Sequence, residues 1–267
     1  MELQGRRAEL QRAGVGLAAI SYDPVSTLAD FSRRRGITFP LLSDEGSSTI
    51  KAYGILNTTV APTNRQQFGI PFPGTFIVNR RGIVTSRTFE PAYQERDTIA
   101  SVMVRLGKDF SVPAITVSAP HLRITTFATD QVVAPGTHFS LVLDITPATR
   151  IHVYAPGATG YRPIALTLAP DPRLVLRSTR YPPSSDYFFK PLNEHVAVFD
   201  RRFRLVQDVM IDASRDAEAA ITNGADMTLT GTLDYQACDD KVCFAPQSIP
   251  LSWTVRLRTL DRERPKS

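Results

Sequence analysis

Two segments near the C-terminal end of the chain alternate apolar and polar residues, which is typical of half-buried β-strands. The apolar residues of Met227–Ala237 occupy one set of alternate positions, and those of Ile249–Leu257 do the same. We therefore predict a β-hairpin made of these two strands. Its connection carries Cys238 and Cys243, the two cysteines of the 267 residues.

Shorter segments with the same alternation fill most of the chain before this hairpin. Their spacing is typical of a β-sandwich, and Pro135-Gly136 and Asn223-Gly224 are turn signals between them. A longer connection, Tyr181–Pro191, is predicted to be a loop rich in aromatic residues that covers the cysteines. The predicted strands are Val117–Phe127, Thr137–Ile145, Arg150–Ala155, Ile164–Leu168, Val196–Val198 and Phe203–Ile211.

The first part of the chain has a different pattern, in which apolar strands alternate with amphipathic helices. Such alternation predicts an α/β fold. Pro24 stands where a helix begins and Gly36 where it ends, Leu28 and Phe31 mark its inner face, and Asp44 is a candidate cap for the next helix. The predicted elements are the helix ending at Gly14, strands Gly16–Tyr22 and Thr38–Leu42, the hairpin Gly74–Asn79 with Ile83–Phe89, and a helix over Ala92–Leu106.

Length and composition favour two domains without a membrane-spanning segment. We predict a first domain over 1–106, a linker over 107–119, a second domain over 120–260 and a tail over 261–267. Lys and Arg exceed Asp and Glu by 31 to 26, but the basic residues are scattered, so no nucleic-acid partner is inferred. No apolar run reaches the length of a membrane helix, and the residues after Met1 do not begin as a signal peptide does.

Three interpretations of the cysteine pair remain open on pattern alone. A structural disulfide would close a very short loop and so constrain the unfolded chain little. A zinc site is disfavoured because no second Cys or His pair stands at ligand spacing. A dithiol that exchanges with a partner is the third interpretation and the one we favour. His121, His138, His152 and His195 are dispersed, without metal or general-base spacing.

The second domain resembles the N-terminal periplasmic domain of DsbD-type thiol–disulfide interchange proteins, an immunoglobulin-like module. The resemblance rests on His152-Val-Tyr-Ala-Pro156, on Tyr181-Pro-Pro followed by Asp186-Tyr-Phe-Phe189, and on Tyr235-Gln-Ala-Cys238 followed by Cys243-Phe-Ala-Pro246. It implies an all-β immunoglobulin-like sandwich over this part of the chain.

The same resemblance implies roles for individual residues. Cys243 would attack the substrate disulfide and Cys238 would resolve the mixed disulfide. Asp186, Tyr187, Phe188 and Phe189 match an aromatic cap loop over the cysteines, and His152 and Tyr154 share a strand face that would line the same site. The best-known member places one more residue between its cysteines.

The first domain resembles the redoxin family of AhpC/TSA type, a branch of the thioredoxin fold. The residues that carry this resemblance are Ala19–Asp23, Gly36–Asp44, Ala52-Tyr-Gly54 and Pro71–Ile77. It implies a thioredoxin-like α/β domain and a cis-proline at Pro73.

One departure from the redoxin pattern affects the functional expectation. Family members begin with a strand and a catalytic cysteine, whereas this chain begins within the first helix and has no cysteine before Cys238. We expect an incomplete thioredoxin-like domain that lacks its first strand, more readily as part of a longer product than as an inactive scaffold.

These observations together predict a thiol–disulfide oxidoreductase that passes reducing equivalents between protein partners through Cys238 and Cys243. The expected partners are thioredoxin-fold or other redox proteins, the expected compartment is periplasmic or extracytoplasmic by resemblance, and neither a cofactor nor a metal is expected. The alternatives are a non-enzymatic interaction module with a structural disulfide, or part of a longer peroxiredoxin-like peroxidase whose nucleophile lies upstream of Met1.

Overall fold

The computed structural model describes residues 2–64, 68–89, 96–108, 112–189 and 193–259. It divides into two compact units, Met1–Ile99 and Ala100–Ser267. The predicted tail over 261–267 and residues 92–95 of the predicted helix Ala92–Leu106 lie outside the described residues, and the predicted domain and linker bounds stay a prediction. In the described part of the chain, no helix is long and apolar enough to cross a membrane.

The first unit follows the predicted alternation of strands and helices. β1 and β2 pair in parallel, as α/β proteins do, whereas β3 and β4 pair antiparallel as the predicted hairpin. The elements are α1 (Glu2–Gly5), α2 (Arg7–Arg12), β1 (Ala19–Ser21), α3 (Val25–Arg35), β2 (Leu41–Ser43), α4 (Ser48–Ala52), β3 (Gly74–Val78), β4 (Val84–Phe89) and β5 (Arg96–Asp97).

The ends of the helices in the first unit follow from single residues. Pro24 precedes α3, and Gly36 ends it in the left-handed region with φ 60°. The carboxylate of Asp44 accepts hydrogen bonds from the amides of Thr49 and Ile50, and thereby caps α4 as predicted. Phe31 is 39% exposed, which corrects its assignment to the inner face of α3 beside the buried Leu28.

The two strand pairs of the first unit form separate two-stranded sheets in the described residues. Apolar side chains on these strands stay exposed: Ile20 by 41%, Leu42 by 50% and Val78 by 48%. In the part of the chain that the structure describes, β1 and β3 therefore belong to different sheets.

The peptide bond between Phe72 and Pro73 is trans, so the expectation of a cis-proline at Pro73 is wrong. The trans form is favoured by about 0.5–1 kcal/mol for a bond that precedes proline. Pro73 stands directly before β3, a position where the missing amide donor costs no hydrogen bond in the strand ladder.

The second unit is built mostly from strands. It contains α5 (Ile99–Arg105, which begins at the division), β6 (Ile115–Ala119), β7 (Leu122–Ala128), β8 (Val132–Val133), β9 (Thr137–Pro147), β10 (His152–Tyr154), β11 (Ala165–Leu168), β12 (Leu174–Arg180), β13 (Ser185–Phe189), β14 (Glu194–Phe199), β15 (Phe203–Ile211), α6 (Arg215–Ala219), β16 (Asp226–Tyr235), β17 (Ala237–Cys238) and β18 (Gln247–Leu257).

These strands form three sheets, and the predicted C-terminal hairpin lies in one of them. β16 and β18 pair antiparallel from Asp226 opposite Arg256 to Tyr235 opposite Gln247, which confirms the hairpin. The strand orders are β12-β15-β9-β7-β6, β11-β16-β18-β8 and β13-β14-β10-β17.

The main hydrophobic core lies between the first two of these sheets. Leu141 and Leu143 of β9 and Leu233 of β16 are 0% exposed within it. One buried hydrogen bond also joins the layers, because Nε1 of Trp253 donates to Oγ1 of Thr126 over 2.8 Å. This packing makes a β-sandwich, for which the immunoglobulin-like class stays a proposal.

The segment predicted as one strand, Val117–Phe127, is two strands. β6 and β7 pair antiparallel around a turn, with Ala119 opposite Leu122. Pro120 has no amide hydrogen for a ladder, and His121 has a φ of 64°, which strands do not accommodate. The prediction missed a turn that contains no glycine.

Candidate functional site

The register of the β13-β14-β10-β17 sheet brings its cysteine strand beside the predicted lining residues. Cys238 of β17 lies directly opposite His152 of β10, and Tyr154 follows two residues later on the same face. Across β14, Val196 lies opposite Tyr187 of β13. Because directly opposite and alternate residues share a face, these side chains converge on one side of the sheet.

Cys238 and Cys243 form a disulfide, with their Cα atoms 4.1 Å apart. The two residues differ in access, because Cys238 is 1% exposed while Cys243 belongs to the exposed residues. Between them, Oδ1 of Asp239 accepts hydrogen bonds from the amides of Lys241 and Val242, each over 2.7 Å. This Asp-centred turn fixes the backbone of the short loop that the disulfide closes.

The hydroxyl of Tyr154 contacts both sulfurs of the disulfide. It lies 3.2 Å from Sγ of Cys238 and 3.3 Å from Sγ of Cys243. Burial, with smaller contributions from the neighbouring Tyr161, Glu194 and Tyr187, raises the pKa of Tyr154 to about 12. The phenol therefore remains protonated at neutral pH and has a proton to donate at the sulfurs.

His152 is buried beside the same tyrosine and carries no charge at neutral pH. Its ring centroid lies 5.7 Å from that of Tyr154 in an edge-to-face arrangement and 4.5 Å from that of Tyr187. Burial lowers the pKa of His152 below its ordinary value of 6.5, although Asp240, Asp200 and Asp239 act in the opposite direction. The imidazole therefore packs mainly as a neutral aromatic ring.

The predicted cap is a strand, β13, and two of its aromatic residues face the disulfide. Tyr187 and Phe189 line a pocket of about 120 Å³, and the hydroxyl of Tyr187 donates a hydrogen bond to Oδ1 of Asp240 in the cysteine loop over 3.1 Å. The residues that line this pocket are His152, Tyr154, Tyr161, Tyr187, Phe189, Val196, Cys238, Asp239, Lys241, Val242 and Cys243.

Asp186 and Phe188, the other two predicted cap residues, do not line this pocket. Oδ2 of Asp186 lies 2.7 Å from Nδ1 of His195, and the ring of Phe188 lies 4.9 Å from that of His195. The strand alternation explains the difference, since successive side chains of β13 point to opposite faces. The expectation of a loop treated all four residues alike, and in a strand only two of them can face the cysteines.

The sequence analysis missed Tyr161 as a residue of the site. Its ring stacks on that of Tyr154 with centroids 4.2 Å apart, and its hydroxyl donates to Oε2 of Glu194 over 2.9 Å. The sequence around it, Gly160-Tyr-Arg-Pro163, shows only a loop, so no local pattern identifies this contact. The described residues contain no group of three or more His, Cys, Asp or Glu side chains arranged to hold a metal ion.

Comparison with known proteins supports the resemblance of the first part of the chain. The model of the AhpC/TSA family matches residues 1–87. The N-terminal part of this chain therefore resembles the AhpC/TSA family. Over 98 residues the chain is 32% identical to alkyl hydroperoxide reductase E of Mycobacterium tuberculosis, a match that covers 36% of this chain and 59% of that protein.

A second curated relative gives the same result. The putative peroxiredoxin bcp of Coxiella burnetii is 26% identical over 83 residues, a match that covers 30% of this chain and 51% of the relative. The chain thus spans about half to three-fifths of the length of the relatives it matches.

Two solved structures are similar to this chain at 13% identity each. The N-terminal periplasmic domain of ScsB from Proteus mirabilis gives a TM-score of 0.36, and the match covers 51% of this chain and 49% of that one. The N-terminal domain of DsbD from Neisseria meningitidis, in its reduced form, gives a TM-score of 0.29, with coverage of 44% and 81%.

Proposed function

We propose that this chain catalyses thiol–disulfide exchange at Cys238 and Cys243 and passes two electrons and two protons between protein partners. The observation that carries the proposal is the asymmetry of the disulfide: Cys243 is an exposed residue and Cys238 is a buried one. A protonated tyrosine hydroxyl lies within hydrogen-bond distance of both.

The first step is attack by a partner thiolate on Sγ of the exposed Cys243. The bond between the two protein sulfurs breaks, the partner becomes joined to Cys243 in a mixed disulfide, and Cys238 leaves as a thiolate. That leaving thiolate forms beside the Tyr154 hydroxyl, which donates a hydrogen bond to it. A second thiolate of the same partner then attacks the partner sulfur in the mixed disulfide. Cys243 is released as a thiolate, and the two partner sulfurs become joined in a disulfide.

The reverse direction uses the same atoms in the opposite order. Cys243 as a thiolate attacks a substrate disulfide, and Cys238 then displaces the substrate by attacking Sγ of Cys243. These are the roles that the sequence resemblance assigns to the two cysteines. The burial of Cys238 favours these two roles, because a buried thiol reaches the neighbouring Cys243 more readily than it reaches a partner in solution.

The geometry of the pocket and the chemistry of the pair support the choice of protein partners. The pocket has a volume of about 120 Å³, which accommodates a side chain rather than a large cofactor. A partner protein would therefore bring a cysteine on its own surface to this pocket. We infer thioredoxin-fold or other redox proteins as partners, and an oxidising, extracytoplasmic compartment in which such a disulfide persists.

Trapping a mixed disulfide tests the assignment of the two cysteines. In the full chain, Cys238→Ser retains the exposed Cys243 and should accumulate a covalent adduct with an oxidised thioredoxin-type protein. Cys243→Ser should accumulate much less, because its remaining thiol is buried. Equal adducts from both variants would contradict the assignment. No adduct from either, together with a reduction potential below about −300 mV, would indicate a structural disulfide instead.

Peroxide reduction is a second candidate, favoured by the match of residues 1–87 to the AhpC/TSA family. That chemistry needs a thiolate, and the thiols of this sequence are Cys238 and Cys243. Loss of hydrogen peroxide in the presence of the reduced chain, measured against the Cys238→Ser and Cys243→Ser variants, separates peroxidase activity from exchange between protein disulfides.

A further inference from the structure

We propose that His121 is a positioning residue for the cysteine pair: together with Pro120 it holds both ends of the loop that carries Cys238 and Cys243. This inference rests on the proposed exchange function and adds a determinant of the reduction potential. The turn between β6 and β7 is the structural element involved, and it belongs to neither the cap nor the pocket lining.

The outgoing end of the cysteine loop is held by ring stacking. Phe244 directly follows Cys243, and its ring lies on the imidazole of His121 with centroids 3.9 Å apart and planes inclined by 22°. The backbone of Phe244 is bound as well, because its amide donates to the carbonyl of Ala237 over 2.9 Å. The position of Cys243 is therefore coupled to the position of His121.

The incoming end of the loop is held by a hydrogen bond to the preceding residue of the same turn. The hydroxyl of Tyr235 donates to the carbonyl oxygen of Pro120 over 2.6 Å. Tyr235 is 0% exposed and stands three residues before Cys238 at the end of β16. Adjacent residues of one turn thus contact both flanks of the disulfide-closed loop.

The turn itself is well suited to hold its position. His121 adopts a φ of 64°, in the left-handed region, and its carbonyl accepts the amide of Ala148 over 2.9 Å. The flanking pair, Ala119 opposite Leu122, belongs to the β12-β15-β9-β7-β6 sheet on the main core. A turn supported in this way provides a fixed contact surface for the cysteine loop, whose own residues are mostly exposed.

The consequence appears in the reduced state, in which no covalent bond joins the two sulfurs. A turn that contacts both flanks of the cysteine loop keeps the two thiols near each other. This raises their effective concentration and favours disulfide formation. Without the His121 ring, the dithiol state gains freedom and the disulfide is reduced more easily. The ring should also hasten resolution of a mixed disulfide on Cys243, because Cys238 stays close.

The test is a redox equilibrium of the full chain with dithiothreitol. In this reaction dithiothreitol gives up two electrons and two protons and closes to its cyclic disulfide, while the bond between Cys238 and Cys243 breaks. His121→Asn removes the ring and suits the left-handed backbone. The equilibrium constant for reduction should rise about two- to tenfold, the range expected for loss of one aromatic pair, and tenfold corresponds to about 30 mV for two electrons.

Three further variants separate positioning from a general structural role. His121→Phe keeps a ring on Phe244 and should restore the equilibrium constant to within about twofold of the wild-type value. Tyr235→Phe removes only the hydrogen bond to Pro120 and should shift the constant in the same direction as His121→Asn. Arg123→Ala, an exposed position on the same hairpin, should leave it unchanged.

Two results would overturn this inference. One is a His121→Asn variant that melts at a lower temperature yet keeps the wild-type equilibrium constant; the other is a His121→Phe variant that shifts as far as His121→Asn does. Failure of the exchange function gives a different result, because the wild-type chain would then equilibrate with dithiothreitol but not react with a reduced thioredoxin-type protein.

Discussion

The Tyr154 hydroxyl lies 3.2 Å from Sγ of Cys238, the buried residue of a disulfide whose other cysteine is an exposed residue. Burial raises the pKa of this tyrosine to about 12, so its proton is present across the neutral range. A sulfur that leaves as a thiolate at this position therefore gains a charge-assisted hydrogen bond, which an intact disulfide receives only weakly.

Tyr154→Phe should slow reduction of the disulfide about tenfold or more at neutral pH. The estimate follows from a net contribution of about 1.5–3 kcal/mol for a hydrogen bond to a charged group. The measurement is the second-order rate constant for reduction of the full chain by dithiothreitol, followed by thiol release.

Tyr53→Phe provides a matched control, since it removes a tyrosine hydroxyl from the first unit, where Tyr53 packs edge-to-face against Phe76. Its rate constant should equal that of the wild type. A Tyr154→Phe variant reduced as fast as the wild type would show that the hydroxyl does not stabilise the leaving sulfur.

Tyr187→Ala should open the pocket and increase the rate at which a small alkylating reagent modifies the reduced thiols, about threefold to tenfold. Tyr187 joins the pocket lining to Asp240 and contributes about one good hydrogen bond to closure. Phe188→Ala is the matched control, because the neighbouring ring faces the other side of the sheet and is 42% exposed. An equal increase in both variants would mean that β13 unfolds as a unit instead.

His152→Gln should reduce the loss of stability on acidification. The folded-state pKa of His152 is lowered by burial, so the unfolded chain takes up a proton at higher pH than the folded chain does. The contribution of the neutral His152 to the free energy of unfolding is fully present above a pH of about 6.5, the ordinary pKa of histidine. It is lost as the pH falls from there through the lowered pKa of the folded state.

Urea unfolding of the oxidised full chain at about pH 7.5 and about pH 5 measures this effect. The wild type should lose more free energy of unfolding between the two conditions than His152→Gln does. Identical losses would assign the pH dependence to other groups, among which Asp239 and Asp240 face the same imidazole.

Gly231→Ala should destabilise the second unit by about 1–3 kcal/mol, as small-to-large changes in packed regions do. A Cβ at this position would lie 2.7 Å from the carbonyl oxygen of Thr167 and 2.7 Å from Cδ2 of Leu168. Gly16→Ala is the matched control, since a Cβ there meets nothing within 4 Å. A thermal unfolding midpoint that Gly231→Ala leaves unchanged would show that β11 and β16 move apart without cost.

The sequence determined the elements whose signals are local. Alternation predicted the β16–β18 hairpin, because one face of each strand must be buried and the period of a strand is two residues. Single residues likewise fixed the ends of α3 and the Asp44 cap of α4. The pattern also predicted that Cys238 and Cys243 lie within disulfide distance on one connection, and the disulfide between them confirms it.

The tertiary structure decided what depends on pairing between distant segments. Because β13 pairs with β14 as a strand, Tyr187 and Phe189 face the cysteines, whereas Asp186 and Phe188 face away from them. The interpretation of this segment as a loop could not predict that difference. The contacts of Tyr161 with Tyr154, and of His121 with Phe244, join residues far apart in the chain. The local alternation of apolar and polar residues does not predict such contacts, because they depend on how whole sheets pack against each other.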